Sequence, residues 1–203
     1  MGLALSIMQG FMKHSFAKGV LPDDIHWLGR QQDADVEKTM EEITAAMAEA
    51  FQKAKARIGK IFRIKRGGKR TTEQVIGATT HTFVNAHLNS DNFPLNDGPE
   101  DDRELVVFQV TDYDHDPSTE EVHAEFKTRG LDQPTYEDGL KFDEAYPDEK
   151  GVFVFLHKHW LGPGRRPGVL VVHRDEADRV LDLNWSAYPW DRHDWFVGVR
   201  PRK

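Results

Sequence analysis

The sequence predicts an α+β fold in which two helices lie on a small antiparallel sheet, preceded by a long amphipathic helix. Three observations favour this class. An apolar stripe at helical spacing runs through residues 36–61. Two capped helical segments follow a strand-like run, and four further strand-like runs close the chain. The order strand, helix, helix and then several strands is typical of α+β proteins rather than of doubly wound sheets.

The bulk composition limits the class of protein. The chain has 203 residues, which is enough for one well-buried domain with a helical arm. No apolar run approaches the roughly 20 residues that a membrane span needs. There are no cysteines, which excludes disulfides and thiolate metal sites and favours a reducing compartment. We therefore expect a cytoplasmic protein.

We expect three parts along the chain. Residues 1–35 have no clear period and predict an irregular N-terminal arm. Residues 36–70 predict an amphipathic helix with a basic end. Within this segment, residues 62–65 are expected to form a short strand after the helix. Residues 71–203 predict one α+β domain.

The helix of residues 36–61 has two possible partners. Its apolar side chains alternate at spacings of four and three, which makes a narrow seam. The seam suits packing on the chain's own domain, and it also suits pairing of two helices in a homo-oligomer. The residues of the seam are Val36, Met40, Ile43, Met47, Ala50 and Ala54.

Helix ends within residues 71–203 are marked by capping residues. Thr71 and Gln74 have the spacing of a capping box. Ser118 predicts the start of a helix that glycine ends at Gly130, and Thr135 opens a second helix. Strands are predicted at 105–110, 151–160, 168–173, 179–185 and 195–200.

Two stretches carry a resemblance to a known family. Residues 130–137 (Gly-Leu-Asp-Gln-Pro-Thr-Tyr-Glu) are similar to the segment between the two helices of the formylglycine-generating-enzyme branch of C-type-lectin-fold proteins. Residues 196–200 resemble the terminal strand of that branch. The resemblance implies a C-type-lectin-like domain, but the reaction of the branch needs cysteines that this chain lacks.

Residues 71–203 also resemble a set of uncharacterised bacterial proteins of the candidate phyla. The similarity includes Asn89-Ser90-Asp91, Phe93-Pro94 and the tryptophan-rich tail. The same tail resembles the variable proteins of diversity-generating retroelements, which display a changeable surface on a lectin-like scaffold. This resemblance implies a binding role near the C-terminus.

The strongest candidate for a binding surface is the segment 184–195. It holds three tryptophans and one tyrosine within twelve residues, and these residue types are enriched at binding hot spots. For Trp185 and Trp195, which lie on strands, a core position is favoured. The candidate ligand-binding residues are Asn184, Ser186, Tyr188, Trp190, Asp191, Arg192, His193 and Asp194. The sequence therefore predicts a non-enzymatic recognition module for a protein or another macromolecule.

A basic run supports a nucleic-acid-associated protein as the alternative. No acidic residue interrupts this run, and phosphates attract such clusters. The residues are Lys53, Lys55, Arg57, Lys60, Arg63, Lys65, Arg66, Lys69 and Arg70. An acidic run follows at 91–116, so mutual neutralisation of the two runs within the fold is the other interpretation.

A metal-dependent hydrolase is the second alternative. His157 and His159 are two apart on a predicted strand and would share one face, where His173 or His193 could complete a zinc site. An ordinary strand face is the favoured interpretation. The chain has no glycine-rich phosphate loop, nucleophile elbow or His-Glu-x-x-His motif. We therefore assign no catalytic residue, metal or cofactor.

Overall fold

The structure is a computed structural model that describes residues 59–110 and 113–202, together with Lys38, Glu41, Glu42 and Ala45. These four positions are α-helical. The remainder of the predicted arm and helix lies outside the described residues, except at the end of the helix. There the prediction is wrong, because Lys60 and Ile61 begin a β-strand.

Seven strands form one sheet in the described part of the chain. They are β1 (Lys60–Arg66), β2 (Phe83–Val84), β3 (Asp101–Phe108), β4 (Gly151–Leu161), β5 (Pro167–Arg174), β6 (Arg179–Trp185) and β7 (Trp195–Val199). The helices are α1 (Thr72–Ile76), α2 (Thr119–Thr128) and α3 (Tyr136–Ala145), and Pro163–Arg165 form a 3-10 turn. The strand order is β1-β3-β7-β4-β5-β6-β2.

The predicted C-type-lectin-like fold is wrong. The sheet is mixed, because β7 runs parallel to β4 and β2 runs parallel to β6, whereas the other neighbours are antiparallel. It is also larger than expected, since β1 adds a strand at one edge and belongs to the same sheet as the strands after residue 71. The helices lie on both faces, with α1 and α3 on one and α2 on the other.

Alternation of side chains along the strands produces a core on each face of the sheet. On β4, Phe153 and Phe155 enter the core beneath α3, and Val154 and Leu156 enter the core beneath α2. The near-continuous apolar run of this strand follows from burial on both faces. The sheet is therefore a central layer that fixes both its loops and its helices.

The predicted helix starts are confirmed. Thr71, Ser118 and Thr135 each accept a hydrogen bond from the backbone N–H three residues later, and the side chain at that position returns the bond. Gly130 ends α2 with a φ of 63°, a conformation that favours glycine. These caps depend on contacts between near neighbours in the sequence, which is why local patterns located them.

A candidate recognition loop at the C-terminal end of the sheet

Residues 186–194, named here the C-terminal loop, join β6 to β7. β7 lies inside the sheet between β3 and β4, so the strand that follows the loop is fixed on both edges. β6 pairs with β5 along its whole length, from Arg179 to Trp185. The loop is therefore held at both ends by the central layer of the protein.

The first half of the C-terminal loop is bound to the start of α2. The indole Nε1 of Trp190 donates a hydrogen bond to Thr119 Oγ1 at 2.9 Å, and its backbone N–H donates to Pro117 O at 2.9 Å. The Thr119 hydroxyl donates to Ser186 O at 2.7 Å. Trp190 is only 4% exposed, so it supports the loop from beneath rather than facing a ligand.

The second half of the C-terminal loop is an internally bonded turn. Asp191 Oδ1 accepts from the His193 N–H at 2.8 Å, and Asp191 O accepts from the Asp194 N–H at 2.9 Å. The Gln109 side-chain amide donates to His193 O at 2.6 Å, which ties this turn to the end of β3. Short-range bonds of this kind reduce the conformational freedom of the loop.

The predicted site residues differ in exposure. Tyr188 is 63% exposed and is the exposed aromatic side chain of the C-terminal loop. Trp185 and Trp195 are half-buried, and Trp195 packs against the core beneath α3. Asn184, Asp191, Arg192 and His193 are exposed, whereas Ser186 and Asp194 are half-buried.

The electrostatics of the C-terminal loop are acidic. Burial raises the pKa of Asp194 to about 6, and the neighbouring charges of Asp191 and Asp116 add to this effect. Arg192 lies beside Asp116, and its backbone N–H donates to Asp116 Oδ1 at 3.4 Å. Above pH 6 the loop and its neighbours therefore carry more carboxylates than cations.

The two histidines of the zinc-site alternative, His157 and His159, differ in exposure. β4 has an irregular register between Phe155 and Trp160, but His157 lies two residues after Phe155 and follows the same alternation into the core at 5% exposure, while His159 stays exposed. His157 Nε2 accepts from the Leu170 N–H at 3.0 Å, and Nδ1 donates to Lys158 O at 2.7 Å. Both ring nitrogens are therefore occupied by the backbone.

The same burial accounts for the charge state of His157. Removal from water lowers its pKa to about 4, so the ring is neutral at neutral pH. In the ranges 59–110 and 113–202, no group of three or more His, Asp or Glu side chains is placed to hold a metal ion.

Much of the predicted basic run is paired with acidic residues. Antiparallel register places Arg63 opposite Glu104, and Arg63 Nη2 lies 2.9 Å from Glu104 Oε1. Similar ion pairs join Lys60 to Glu149, Lys65 to Glu100, Arg66 to Asp101 and Arg70 to Glu144. Lys53, Lys55 and Arg57 lie outside the described residues. The nucleic-acid interpretation stays a prediction, and the pairing favours the interpretation of mutual neutralisation.

A buried charge cluster beneath α3 is a feature that sequence reasoning missed. Asp143 Oδ2 lies 2.8 Å from His81 Nε2 and 3.3 Å from Thr79 Oγ1. Its other oxygen is paired with Arg174 and lies 3.7 Å from Arg179 Nη2. Asp143 is separated from His81 by 62 positions and from Arg174 by 31, so no spacing pattern could reveal the cluster.

No membrane-crossing helix occurs among the described residues, because none of their helices is long and apolar enough. Comparisons of the chain with protein-family models, with curated proteins and with solved structures found no match.

Proposed function

We propose that the chain is a recognition module that binds a protein partner through the C-terminal loop, with Tyr188 as the central contact. One observation supports this proposal above the others. Tyr188 is 63% exposed, and it lies between two residues of the loop that hydrogen bonds hold in place. Ser186 is tied to Pro167 on one side, with its N–H 3.0 Å from Pro167 O, and Trp190 is tied to α2 on the other.

This arrangement favours binding because little order remains to be imposed on the loop. Association costs free energy for each loop and side chain that becomes fixed, and a preorganised loop avoids part of that cost. A tyrosine adds a large contact area with only two rotatable side-chain bonds and one polar end. Tyr188 therefore has the chemistry of an anchor residue in a protein interface.

The charges around the C-terminal loop indicate the kind of partner. Asp191 is exposed and Asp194 is half-buried, and the fully exposed Asp114 lies close enough to Arg192 to interact with it. With one arginine against several carboxylates, the surface suits a partner with a cationic patch. A nucleic-acid backbone is the opposite case, because its phosphates would be repelled here.

The experiment identifies the partner and then measures its affinity. A photo-crosslinking phenylalanine derivative replaces Tyr188 in the full chain, and cross-linked proteins from the source cells are identified by mass spectrometry. The purified partner is then titrated calorimetrically against the wild-type chain and against Tyr188→Ser. We expect Tyr188→Ser to weaken binding by at least about tenfold, as loss of an aromatic hot spot does.

Phe83→Ser is the matched control for this experiment. Phe83 is 49% exposed and lies on the edge strand β2, opposite Val180 at the start of β6. The C-terminal loop leaves the other end of β6, so replacement of Phe83 should leave the affinity unchanged. Equal affinities of wild type and Tyr188→Ser would contradict the proposal, and so would a loss of binding in Phe83→Ser alone.

The nucleic-acid alternative is tested separately. If basic residues on β1 bind phosphates, affinity for an oligonucleotide falls steeply as salt is raised. A flat or absent signal over a salt series would remove this alternative.

A further inference from the structure

A pocket of about 450 Å³ lies between the outer edge of β1 and the second half of α3. It is separate from the C-terminal loop and shares no residue with it. Its walls come from β1, from the turn that leads to α1 and from α3. The lining includes Arg63, Lys65, Lys69, Arg70, Lys141 and Glu144.

Two tethers frame this pocket by fixing β1 against α3. The Arg63 N–H donates to Tyr146 Oη at 2.9 Å, and Tyr146 Oη donates to Arg63 O at 2.7 Å. Four residues further along, the Gly67 N–H donates to Glu137 Oε1 at 2.7 Å. The N–H and C=O groups of every second residue of an edge strand face away from the sheet. Those of Arg63 face Tyr146, so the N–H and C=O of Lys65, two residues later, face the gap between the two tethers.

Lys141 lies in the wall of this gap. It is four residues after Glu137 on α3, so both side chains occupy the same helix face. The Lys141 side chain is only 10% exposed, and its ammonium is 3.7 Å from its partner Glu144, which is beyond hydrogen-bond distance. Glu144 is already bonded to Arg70. The single carboxylate of Glu144 therefore serves two cations, Lys141 and Arg70. One positive charge of the three groups is left over, and an anion in the pocket would compensate it.

Most of the other charges that line the pocket have the same sign as Lys141. Five cationic side chains line it against two carboxylates, Glu100 and Glu144, so the net charge of the lining is +3. Lys69 is exposed, and no ion-pair partner for it occurs among the residues that the structure describes. Ion pairs with Glu104, Glu100 and Glu144 offset part of this charge, and the exposed ammonium of Lys69 faces the pocket in addition to the paired cations.

The Gly67-Gly68 turn keeps the side of the pocket free of side chains. Gly67 and Gly68 have φ values of 87° and 93°, a backbone region that other residues rarely adopt. A Cβ at Gly67 would lie 2.7 Å from Pro99 O. The turn therefore depends on glycine, and it leaves room for a ligand beside Lys69.

We propose that this pocket binds the phosphate group of a small ligand, with Lys141 as the buried contact and Lys69 at the mouth. A volume of about 450 Å³ lies within the range of roughly 300–1,000 Å³ that is usual for small-molecule sites. Lysine binds phosphate as a point charge, and two lysines, Lys141 and Lys69, line this pocket. A small ligand fits better than a nucleic-acid chain, because ion pairs hold Lys60 and Arg66, the cations of β1 outside the pocket lining.

The test uses the full chain, with pyrophosphate and inorganic phosphate as probes in calorimetric titrations. We expect one pyrophosphate per chain and the largest changes in backbone amide NMR shifts at Gly67, Gly68 and Lys69. Lys141→Met, which keeps the length of the side chain without its charge, should weaken pyrophosphate binding by at least about tenfold. Lys69→Met should weaken it several-fold, and Lys127→Met on α2 is the matched control that should change nothing.

Several outcomes overturn the proposal. One is a wild-type chain that binds neither probe, and another is Lys141→Met binding pyrophosphate as tightly as wild type. If Lys141→Met does not fold, Lys69→Met decides, because its exposed side chain has no structural role, and unchanged affinity then overturns the proposal. A single-stranded oligonucleotide that displaces pyrophosphate and binds more tightly would assign the pocket to nucleic acid instead. None of these results bears on Tyr188, so the two proposals fail independently.

Discussion

Arg174 on β5 forms a buried ion pair with Asp143 on α3, and both side chains are 3% exposed. The same guanidinium donates to the carbonyl oxygens of Asp143, at 2.8 Å, and of Tyr146. The last carbonyl groups of a helix have no partner within the helix, and the helix dipole favours a cation there. The side chain of Arg174 therefore neutralises Asp143 and also satisfies two carbonyl groups at the C-terminal end of α3.

Replacement of Asp143 tests the energetic weight of this pair. Asp143→Asn leaves Arg174 buried without its counter-charge, and we expect a loss of about 3 to 5 kcal/mol in the free energy of unfolding. Chemical denaturation measures the change. Glu176→Gln is the matched control, because the Lys150–Glu176 pair is largely exposed and such pairs contribute at most about 1 kcal/mol. Equal losses in the two variants would contradict a buried pair.

The pKa of Asp143 adds a pH dependence to that loss. Burial alone would raise this pKa, but the His81 hydrogen bond and the Arg174 charge outweigh it, so the pKa lies below its usual value. A lowered carboxyl pKa contributes stability that is complete above the unfolded-state value of about 4. This stability is lost as the pH falls through the folded-state value. The gap between wild type and Asp143→Asn should therefore narrow in acid.

Protonation of His157 should cause a second loss of stability as the pH falls, beginning at a higher pH than the loss from Asp143. Burial holds the pKa of His157 at about 4 in the folded chain, below the ordinary histidine value of 6.5, so the unfolded chain takes up a proton first as the pH falls. The free energy of unfolding should therefore drop between pH 6.5 and 4, by on the order of 3 kcal/mol. His157→Gln keeps a donor and an acceptor but does not titrate, and we expect a flatter pH profile from denaturant titrations. An unchanged slope would show that His157 is not its source.

Replacement of Gly139 in α3 by alanine should destabilise the protein, although alanine has the higher helix propensity. In an exposed helix, replacement of glycine by alanine gains about 1 kcal/mol. Here the new Cβ would lie 2.5 Å from Leu170 Cδ2 and 3.0 Å from Phe155 Cγ. We expect Gly139→Ala to destabilise the protein by about 1 to 3 kcal/mol through overpacking, measured by thermal unfolding. Thr128→Ala at the exposed end of α2 is the control and should gain a few tenths. A stabilised Gly139→Ala would show that α3 can move off the sheet.

Asp194 predicts a pH effect of the opposite sign to that of His157. Its folded pKa of about 6 lies above the ordinary aspartate value of 3.8, so the ionised carboxyl is disfavoured in the fold. Stability is lost as the pH rises from 3.8 through 6 and stays lost above that range. Asp194→Asn should therefore melt at a higher temperature than wild type at pH 8 and at the same temperature at pH 3. Asp114→Asn is the control, because a hydrogen bond from His115 lowers the pKa of Asp114 and the variant should gain nothing at pH 8.

The elements found from the sequence share one property: they depend on residues close together in the chain. Thr71, Ser118 and Thr135 bond to groups three residues away, and apolar runs located β4 and β5. The C-terminal segment was also singled out as a candidate site by its three tryptophans in twelve residues, and that role stays a prediction. Local contacts leave local patterns, so one sequence was enough to place them.

Tertiary structure alone decided the order of the strands and the side chains that reach the surface. Residues 60–61 have the local pattern of a helix end, but they form a strand because β1 pairs with β3. β7 lies between β3 and β4, two strands that are distant from each other in the sequence. The sequence does not distinguish Trp190 from Tyr188, because both are aromatic residues of the same loop. In the structure, Trp190 is buried and bonded to α2, whereas Tyr188 is exposed. Burial and pairing are sums over partners far apart in the chain, and those partners have no fixed spacing in the sequence.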